Sequence, residues 1–426
     1  MSGNTALSKA SIAIFAGGLC LLLLPGNARA YSVMAHEAII DACWDPAIKP
    51  LLLARYPNST PEQLAEARSY AYGGSIIQDL GYYPFGSFFF THLLHYVRSG
   101  DFVQTILREA QTEDEYAFAL GAMAHFFADT LGHPLAVNPS VAIRYPKLRK
   151  KYGPKVTFEE GKKQHLLVEF SFDVMEVASN AYAPQAYHDF IGFQVATPLL
   201  ERAFRDTYGL EMKDIFVNEN LALGTYRRGV SKTIPHMTRV AWAQKHDEIE
   251  KLIPGVQRNR FIYRMTRREY EADFGKEFRE PSFRARFLAY ILNFVPKIFF
   301  FRVLSFQPPT QQMTTLFQRS FQVSTERLTA AMKRLNSGNA PVSNEDLDTG
   351  DPSLPGEYGL ADQTYAELLD RLTDRRFTDV PAATTADIFN FYSKASNDPP
   401  RARKERKRWE KTQRELGQLR QVTAKQ

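Results

Sequence analysis

The chain has 426 residues, of which 44% are hydrophobic, and it carries a formal net charge of +6. A chain of this length can bury a large core, so we expect one large domain with an appendage. The mildly basic charge is compatible with attraction to an anionic lipid surface or to nucleic acid, and it does not decide between these partners.

The amino-terminal segment, residues 1–30, has the features of a secretory signal peptide. An apolar run over residues 12–24 is followed by the small-residue cleavage signature Ala28-Arg29-Ala30. This pattern predicts cleavage before Tyr31 and export, so that the protein is periplasmic or extracellular. Only Cys43 remains after cleavage, which excludes an internal disulfide and leaves the core, together with bound metal, as the source of stability.

Helical periodicity dominates the next part of the chain, and no stretch shows the strict alternation that is typical of half-buried strands. Residues 73–90 are rich in glycine and aromatic residues, and we expect a loop or a short helix folded over a cleft there. Helices are predicted over residues 115–130, which are apolar nearly all round, over 161–178 and 185–208, and over 218–253 with a break near Pro235.

The composition changes beyond residue 253. Residues 254–336 are predicted to form a basic, aromatic helical extension, 337–359 a turn-rich linker, and 360–426 carboxy-terminal helices with a charged tail. The apolar stretch 287–306 contains charges and a proline, which argue against a membrane-spanning helix. It is interpreted either as a helix hairpin packed on the main domain, residues 31–253, or as an element that dips into a lipid surface.

Histidines and acidic residues are concentrated in the first half of the chain, and several are spaced by one helical turn. They are His36, Asp79, His95, His125-x3-Asp129-x3-His133 and His165-x3-Glu169. Side chains four residues apart project from the same face of a helix and can bind one ion or two adjacent ions. Imidazole and carboxylate ligands without thiolates favour zinc. The pattern therefore predicts a buried cluster of metal ions and hydrolytic chemistry.

Together with Tyr31, these residues give a spacing that resembles the zinc-dependent phospholipase C family, which shares its fold with the S1/P1-type nucleases. The resemblance extends from Tyr31 to about residue 200. It implies an all-α, multi-helix bundle of the phospholipase C and P1 nuclease type, to which this chain adds carboxy-terminal helices. It also implies about three bound zinc ions.

The resemblance implies a ligand set for each ion. Tyr31, through its free amine and carbonyl, and His36 would hold one zinc, with Asp129 bridging to the second. The second zinc would take Asp79, His95 and His125, and the third would take His133, His165 and Glu169. His92 is an alternative to His95, because both follow Asp79 at a plausible distance.

The function implied is that of an exported, zinc-dependent hydrolase that cleaves phosphodiester bonds of phospholipids with zinc-activated water, with Asp79 as general base. Its expected partner is a phospholipid, with peripheral membrane contact through residues 287–306. One alternative is an S1/P1-type nuclease or nucleotidase, the only case in which nucleic acid would be a partner. The other is a non-catalytic envelope protein in which closed metal sites provide stability.

Overall fold

A computed structural model of the chain describes residues 33–179, 193–229, several positions between 242 and 256, and residues 307–336, 342–395 and 402–424. Within these residues all regular secondary structure is helical, and no strand occurs. The predicted all-α fold class is confirmed. The predicted signal peptide, Tyr31 and the apolar stretch 287–306 lie outside the described residues.

The described helices form three groups along the chain. The first group is α1 (Val33–Cys43), α2 (Lys49–Arg55), α3 (Pro61–Gly74), α4 (Phe88–Tyr96), α5 (Ser99–Glu109) and α6 (Glu113–Gly132). The second group is α7 (Asn138–Arg144), α8 (Pro146–Tyr152), α9 (Phe158–Ser179), α10 (Thr197–Tyr208), α11 (Met212–Ile215) and α12 (Glu219–Arg228). The carboxy-terminal group is α13 (Gln311–Asn336), α14 (Gly359–Asp374), α15 (Ala382–Ser393) and α16 (Arg403–Thr423). A 3-10 helix spans Ile77–Tyr82, and π-helical turns span Trp44–Ile48 and His133–Val137.

Helix α6 lies at the centre of the bundle, where α1, α3, α5 and α13 pack around it. It begins where the Thr112 side chain accepts a hydrogen bond from the Glu115 N–H, and three acidic residues occupy its first turn. The α-helix ends at Gly132, two residues beyond the predicted bound of residue 130. Pro134 lacks the N–H that would extend the α-helical pattern. The chain therefore changes to a π-helical turn before it continues into α7.

Helices α3 and α6 approach each other closely because glycines face the contact. A Cβ atom at Gly121 would lie 2.2 Å from the carbonyl oxygen of Ala71, and one at Gly74 would lie 2.0 Å from that of Phe118. Any larger residue would force the two backbones apart. This contact also brings the end of α3 next to the face of α6 that carries the candidate metal ligands.

The buried side chain of Arg98 joins the amino-terminal helices to the carboxy-terminal ones. Its guanidinium donates to the carbonyl oxygen of Thr207 at the end of α10, and at 2.6 Å to the hydroxyl of Thr384 in α15. It also forms an ion pair of 2.8 Å with Asp101. Arg98 has a positive φ of 52°, a conformation uncommon outside glycine, and these contacts hold it there.

Residues 342–358, part of the predicted linker, are irregular but are bound to the helical bundle. The Leu347 N–H donates to the carbonyl oxygen of His95 at 3.0 Å. The side-chain amide of Asn138 donates to the carbonyl oxygen of Asp348 at 2.8 Å. This segment therefore lies against α4 and α7. The division of the chain into domains stays a prediction.

The carboxy-terminal helices pack on the bundle rather than extending from it. Helix α14 contacts α4, and α16 packs on α14 with Leu416 and Leu419 buried. The charged tail is thus helical with one buried face. None of the described helices combines the length and the apolar character needed to cross a membrane.

Candidate metal centre

The structure brings together every described residue that the sequence pattern selected as a metal ligand. Each has at most 2% of its surface exposed. Their nitrogen and oxygen atoms form three groups, with all atoms of a group within 4.8 Å of one another. The groups are His36, His125 and Asp129; Asp79, His95 and His125; and His133, His165 and Glu169.

The first group joins α1 to α6. The Nε2 atom of His36 lies 3.4 Å from Asp129 Oδ1, and the Nε2 atom of His125 lies 3.2 Å from Asp129 Oδ2. The two imidazole rings stack with their centroids 4.4 Å apart. His125 and Asp129 share one face of α6 because they are four residues apart.

The second group adds α4 and the 3-10 helix Ile77–Tyr82, which carries Asp79. The Nε2 atom of His95 lies 3.5 Å from Asp79 Oδ1 and also 3.5 Å from Asp129 Oδ2. One oxygen of Asp129 therefore faces His36, while the other faces His95 and His125. This is the position from which a carboxylate can bridge two ions.

The third group is formed by α9 and the turn that follows α6. The Nδ1 atom of His165 lies 3.5 Å from Glu169 Oε1, and the ring of His133 is 5.9 Å from that of His165. His133 follows Asp129 by one turn, so the π-helical turn keeps it on the same side as the other groups. Helix α6 and its continuation thus contribute to all three groups.

Backbone carbonyl groups orient three of the imidazoles. The Nδ1 atom of His95 contacts the Thr91 oxygen at 2.9 Å, and that of His125 contacts the Ser75 oxygen at 2.9 Å. The Nε2 atom of His165 contacts the Val156 oxygen at 2.6 Å. Because a carbonyl can only accept, each of these nitrogens carries the proton in the neutral ring, and the other nitrogen is left to bind a metal.

The donor geometry of these groups fits zinc. Ligands of a tetrahedral zinc ion, at bond lengths of about 2.0–2.2 Å, lie about 3.3–3.6 Å apart. The closest pairs within the groups are 3.2–3.5 Å apart. Both oxygens of Glu169 and both ring nitrogens of His133 are buried without a hydrogen bond among the described residues. Burying such atoms is costly unless a ligand satisfies them.

The pKa values reflect a site in which many ionisable groups are buried close together, away from water. Burial raises the pKa of Glu169 well above its usual value, and the nearby carboxylates of Asp129 and Asp79 add to the effect. Burial lowers the pKa of His165 to about 4. For His95 burial alone would lower the pKa, but Asp129 and Asp79 outweigh it and raise the value to about 10. A bound divalent cation would compensate the carboxylates and favour neutral imidazoles.

His92, the sequence alternative to His95, lies outside the three groups. Its ring stacks on Phe88 at 6.3 Å and contacts Tyr96 at 5.6 Å. Residues three apart lie on the same side of a helix, so the spacing along α4 could not decide between His92 and His95. The structure brings His95 into the cluster, and His92 lies beside it.

The sequence pattern missed Asp348, a buried residue of the segment 342–358. Its Oδ1 atom lies 3.9 Å from Nε2 of His133, and its Oδ2 atom accepts hydrogen bonds from the hydroxyls of Tyr96 and Tyr358. No local signal identified it, because an aspartate in a polar, turn-rich stretch has the composition of a solvated loop.

Comparison with known proteins agrees with this geometry. Residues 35–216 match the family model described as zinc dependent phospholipase C. The chain has no significant match among curated proteins or among solved structures. The matched region includes all described candidate ligands from His36 to Glu169, and it ends before Asp348. The family and the His/Asp clusters together support zinc as the metal.

Proposed function

We propose that this chain, whose residues 35–216 match the zinc-dependent phospholipase C family, is an exported hydrolase that cleaves phosphodiester bonds of phospholipids. The observation that carries the proposal is the position of Asp129. Its two oxygens face two groups of nitrogen ligands, an arrangement suited to a pair of adjacent divalent ions. Paired ions are a common device for hydrolysing phosphate esters.

We propose a set of ligands for about three zinc ions. The amine and carbonyl of Tyr31, which lies outside the described residues, together with His36 and Asp129 would hold the first. Asp79, His95, His125 and Asp129 would hold the second, and His133, His165 and Glu169 the third. When bound, zinc lowers the pKa of water and neutralises the phosphoryl oxygens and the departing alkoxide.

The protein's own groups have two tasks in this reaction. Asp79, whose Oδ1 atom faces Nε2 of His95 at 3.5 Å and would hold zinc, would use its other carboxylate oxygen to accept the proton of the attacking water and to orient the water towards phosphorus. His36, His95 and His125 are rigidly held on buried helices, so the charges at the centre stay in place during the reaction. Two divalent ions held beside Asp79 and Asp129 would leave a net positive charge, which would favour an anionic diester.

Aromatic side chains lie between the cluster and the surface and suit an apolar substrate. The ring of Tyr82 is 6.4 Å from that of His95 and 6.0 Å from that of Phe88, and Phe88 is 37% exposed. The same rings could stack on bases, and this observation keeps the S1/P1-type nuclease as the second candidate function.

The test is to assay the zinc-loaded full chain side by side on phospholipid vesicles, single-stranded RNA and a soluble aryl phosphodiester. Release of the phosphorylated head group from vesicles is expected to exceed RNA cleavage, and the reverse order would favour the nuclease. Absence of hydrolysis of all three substrates by protein that retains zinc would contradict an enzymatic function.

Two variants sharpen this assay. Asp129→Asn is expected to release at least one zinc and to abolish hydrolysis, because the bridging charge is lost. Asp387→Asn is the matched control, since Asp387 accepts a hydrogen bond from Tyr365 in the carboxy-terminal helices and an amide oxygen can replace it. Retained zinc and activity in Asp129→Asn would argue against the bridging role.

We also propose that residues 287–306 contact the lipid surface. Their sequence is the support, because three consecutive phenylalanines, at 299–301, are flanked by Lys297 and Arg302, a pattern that suits an interface with anionic headgroups. Replacing 299–301 with serine is expected to lower activity on vesicles and to leave activity on the soluble diester unchanged. Equal activity on vesicles would contradict this contact.

A further inference from the structure

Asp348 lies next to His133, one member of the third group of candidate ligands, and comes from a part of the chain beyond the residues that match the family. Its Oδ1 atom faces Nε2 of His133 at 3.9 Å. The hydroxyl of Tyr96 donates to the other oxygen, Oδ2, at 2.9 Å, and the hydroxyl of Tyr358 donates to the same atom. Two donors on one oxygen fix the carboxylate and leave Oδ1 directed at the imidazole.

The backbone around Asp348 is also fixed. The Asp346 carboxylate accepts from the N–H groups of Asp348 and Thr349 at 2.9 and 3.0 Å, which closes a tight turn. Within this turn the backbone is bonded to the helices, because the Leu347 N–H donates to the His95 oxygen and the Asp348 oxygen accepts from the side-chain amide of Asn138. Asp348 is therefore held in place by the fold and is not a surface side chain that swings inward.

Charge gives a reason for a second carboxylate here. One divalent ion bound by Glu169 and two neutral imidazoles would keep one uncompensated positive charge in a site where His133, His165 and Glu169 are at most 2% exposed. An uncompensated charge is costly to bury. Adding the Asp348 carboxylate makes the site neutral and raises the number of protein donors from three to four.

We propose that Asp348 is a fourth protein ligand of the zinc site formed by His133, His165 and Glu169, and that zinc bound there ties residues 342–358 to the helical bundle. This inference rests on the proposed zinc cluster. A zinc ion with four protein ligands is typical of a structural site. The open positions needed for water and substrate would then belong to the two groups that share Asp129.

The test compares zinc content and zinc affinity of the full chain and its variants after dialysis against a graded series of chelator concentrations. Asp348→Asn is expected to lose one zinc equivalent at chelator concentrations that leave the wild type fully loaded, with affinity at that site at least tenfold lower. Tyr358→Phe removes one hydrogen bond that orients the carboxylate, and an affinity loss of about tenfold is expected.

Asp346→Asn is the matched control in the same turn. An asparagine oxygen can still accept from the two N–H groups that Asp346 binds, so this variant is expected to keep the zinc content and affinity of the wild type. A wild-type affinity in Asp348→Asn, or an equal loss in Asp346→Asn, would overturn the proposal. If Asp348→Asn fails to fold, an unchanged affinity in Tyr358→Phe would overturn it.

A second readout is amide hydrogen exchange of residues 342–358, measured with and without zinc. Exchange in this segment is expected to slow when zinc binds to the wild type, and to be insensitive to zinc in Asp348→Asn. Exchange that responds to zinc equally in both proteins would overturn the proposal. A wild-type protein that binds no zinc would instead contradict the proposed function, whereas unchanged zinc binding by Asp348→Asn would leave that function intact.

Discussion

Replacing Gly121 with alanine tests whether the close approach of α3 and α6 controls the metal centre. The new Cβ atom would lie 2.2 Å from the Ala71 oxygen and 2.9 Å from the Ser75 nitrogen, whereas ordinary contacts begin at 3.4 Å. The helices must therefore separate by about 1 Å, because both atoms belong to the backbone and no rotamer change can relieve the overlap.

The expected magnitude follows from two opposing effects. Overpacking of this kind lowers the free energy of unfolding by up to about 3 kcal/mol. The better helix propensity of alanine offsets about 1 kcal/mol of this loss. The net loss of unfolding free energy is about 2 kcal/mol, equivalent to a fall in Tm of roughly 4–8 °C for a large domain. Urea unfolding of the metal-free chain, followed by far-UV circular dichroism, measures this loss.

The same change is expected to weaken zinc binding. The Ser75 oxygen accepts the hydrogen bond from Nδ1 of His125 at 2.9 Å, and His125 lies one turn after Gly121 on the same face of α6. Moving α3 disturbs this hydrogen bond. When a metal-binding histidine loses the hydrogen bond of its other ring nitrogen, metal affinity falls by about 10–100-fold. Competition with a chromogenic chelator measures the affinity.

Gly417→Ala is the matched control, because a Cβ atom there, in helix α16, meets nothing within 4 Å. This variant is expected to be about 1 kcal/mol more stable than the wild type and to bind zinc unchanged. If Gly121→Ala matches the wild type within about 0.5 kcal/mol and binds zinc equally well, the close helix contact does not constrain the site.

Further predictions concern protons and thiols. The pKa of His95 in the metal-free protein is about 10, so this imidazole is protonated at pH 7 and zinc binding should release at least one proton. Calorimetry in buffers of different ionisation enthalpy would detect the release, and its absence would contradict a protonated His95. Burial lowers the pKa of His165 from 6.5 to about 4, so its contribution to metal-free stability is present above pH 6.5 and is lost as the pH falls towards 4. Between pH 7.5 and pH 5 the free energy of unfolding should therefore fall by about 2 kcal/mol less in His165→Asn than in the wild type. Equal falls in urea titrations of the two proteins would count against a lowered pKa of His165. Burial raises the pKa of Cys43 to about 11, so the native protein should resist alkylation at pH 8 while the unfolded chain reacts; rapid native modification would show that the thiol is accessible.

The sequence predicted those parts of the site that follow from helical periodicity. His125, Asp129 and His133 recur at intervals of one turn along a nearly all-apolar stretch, and the structure places them along α6 and its continuation. His165 and Glu169 likewise share a face of α9. In each case the local spacing alone determines which side chains lie together.

The parts that the sequence did not predict depend on contacts between distant residues. Asp348 meets His133 only because the chain returns to α4 and α7 after more than two hundred residues, and neither its neighbours nor its polarity indicates burial. The helix predicted over residues 218–253 is described as α12 only up to Arg228, and most positions of 230–253 lie outside the described residues.

The contacts of Arg98 limit what can be cut from this protein. A fragment ending at residue 216 would contain every described ligand predicted from the sequence, but it would lack Thr384, which receives a hydrogen bond from the guanidinium. It would also expose the faces of α4 and α6 that α14 and α13 cover. The candidate metal centre therefore cannot be separated from the carboxy-terminal helices: a fragment that lacks them is expected to aggregate, and transfer of the site to another scaffold must include them.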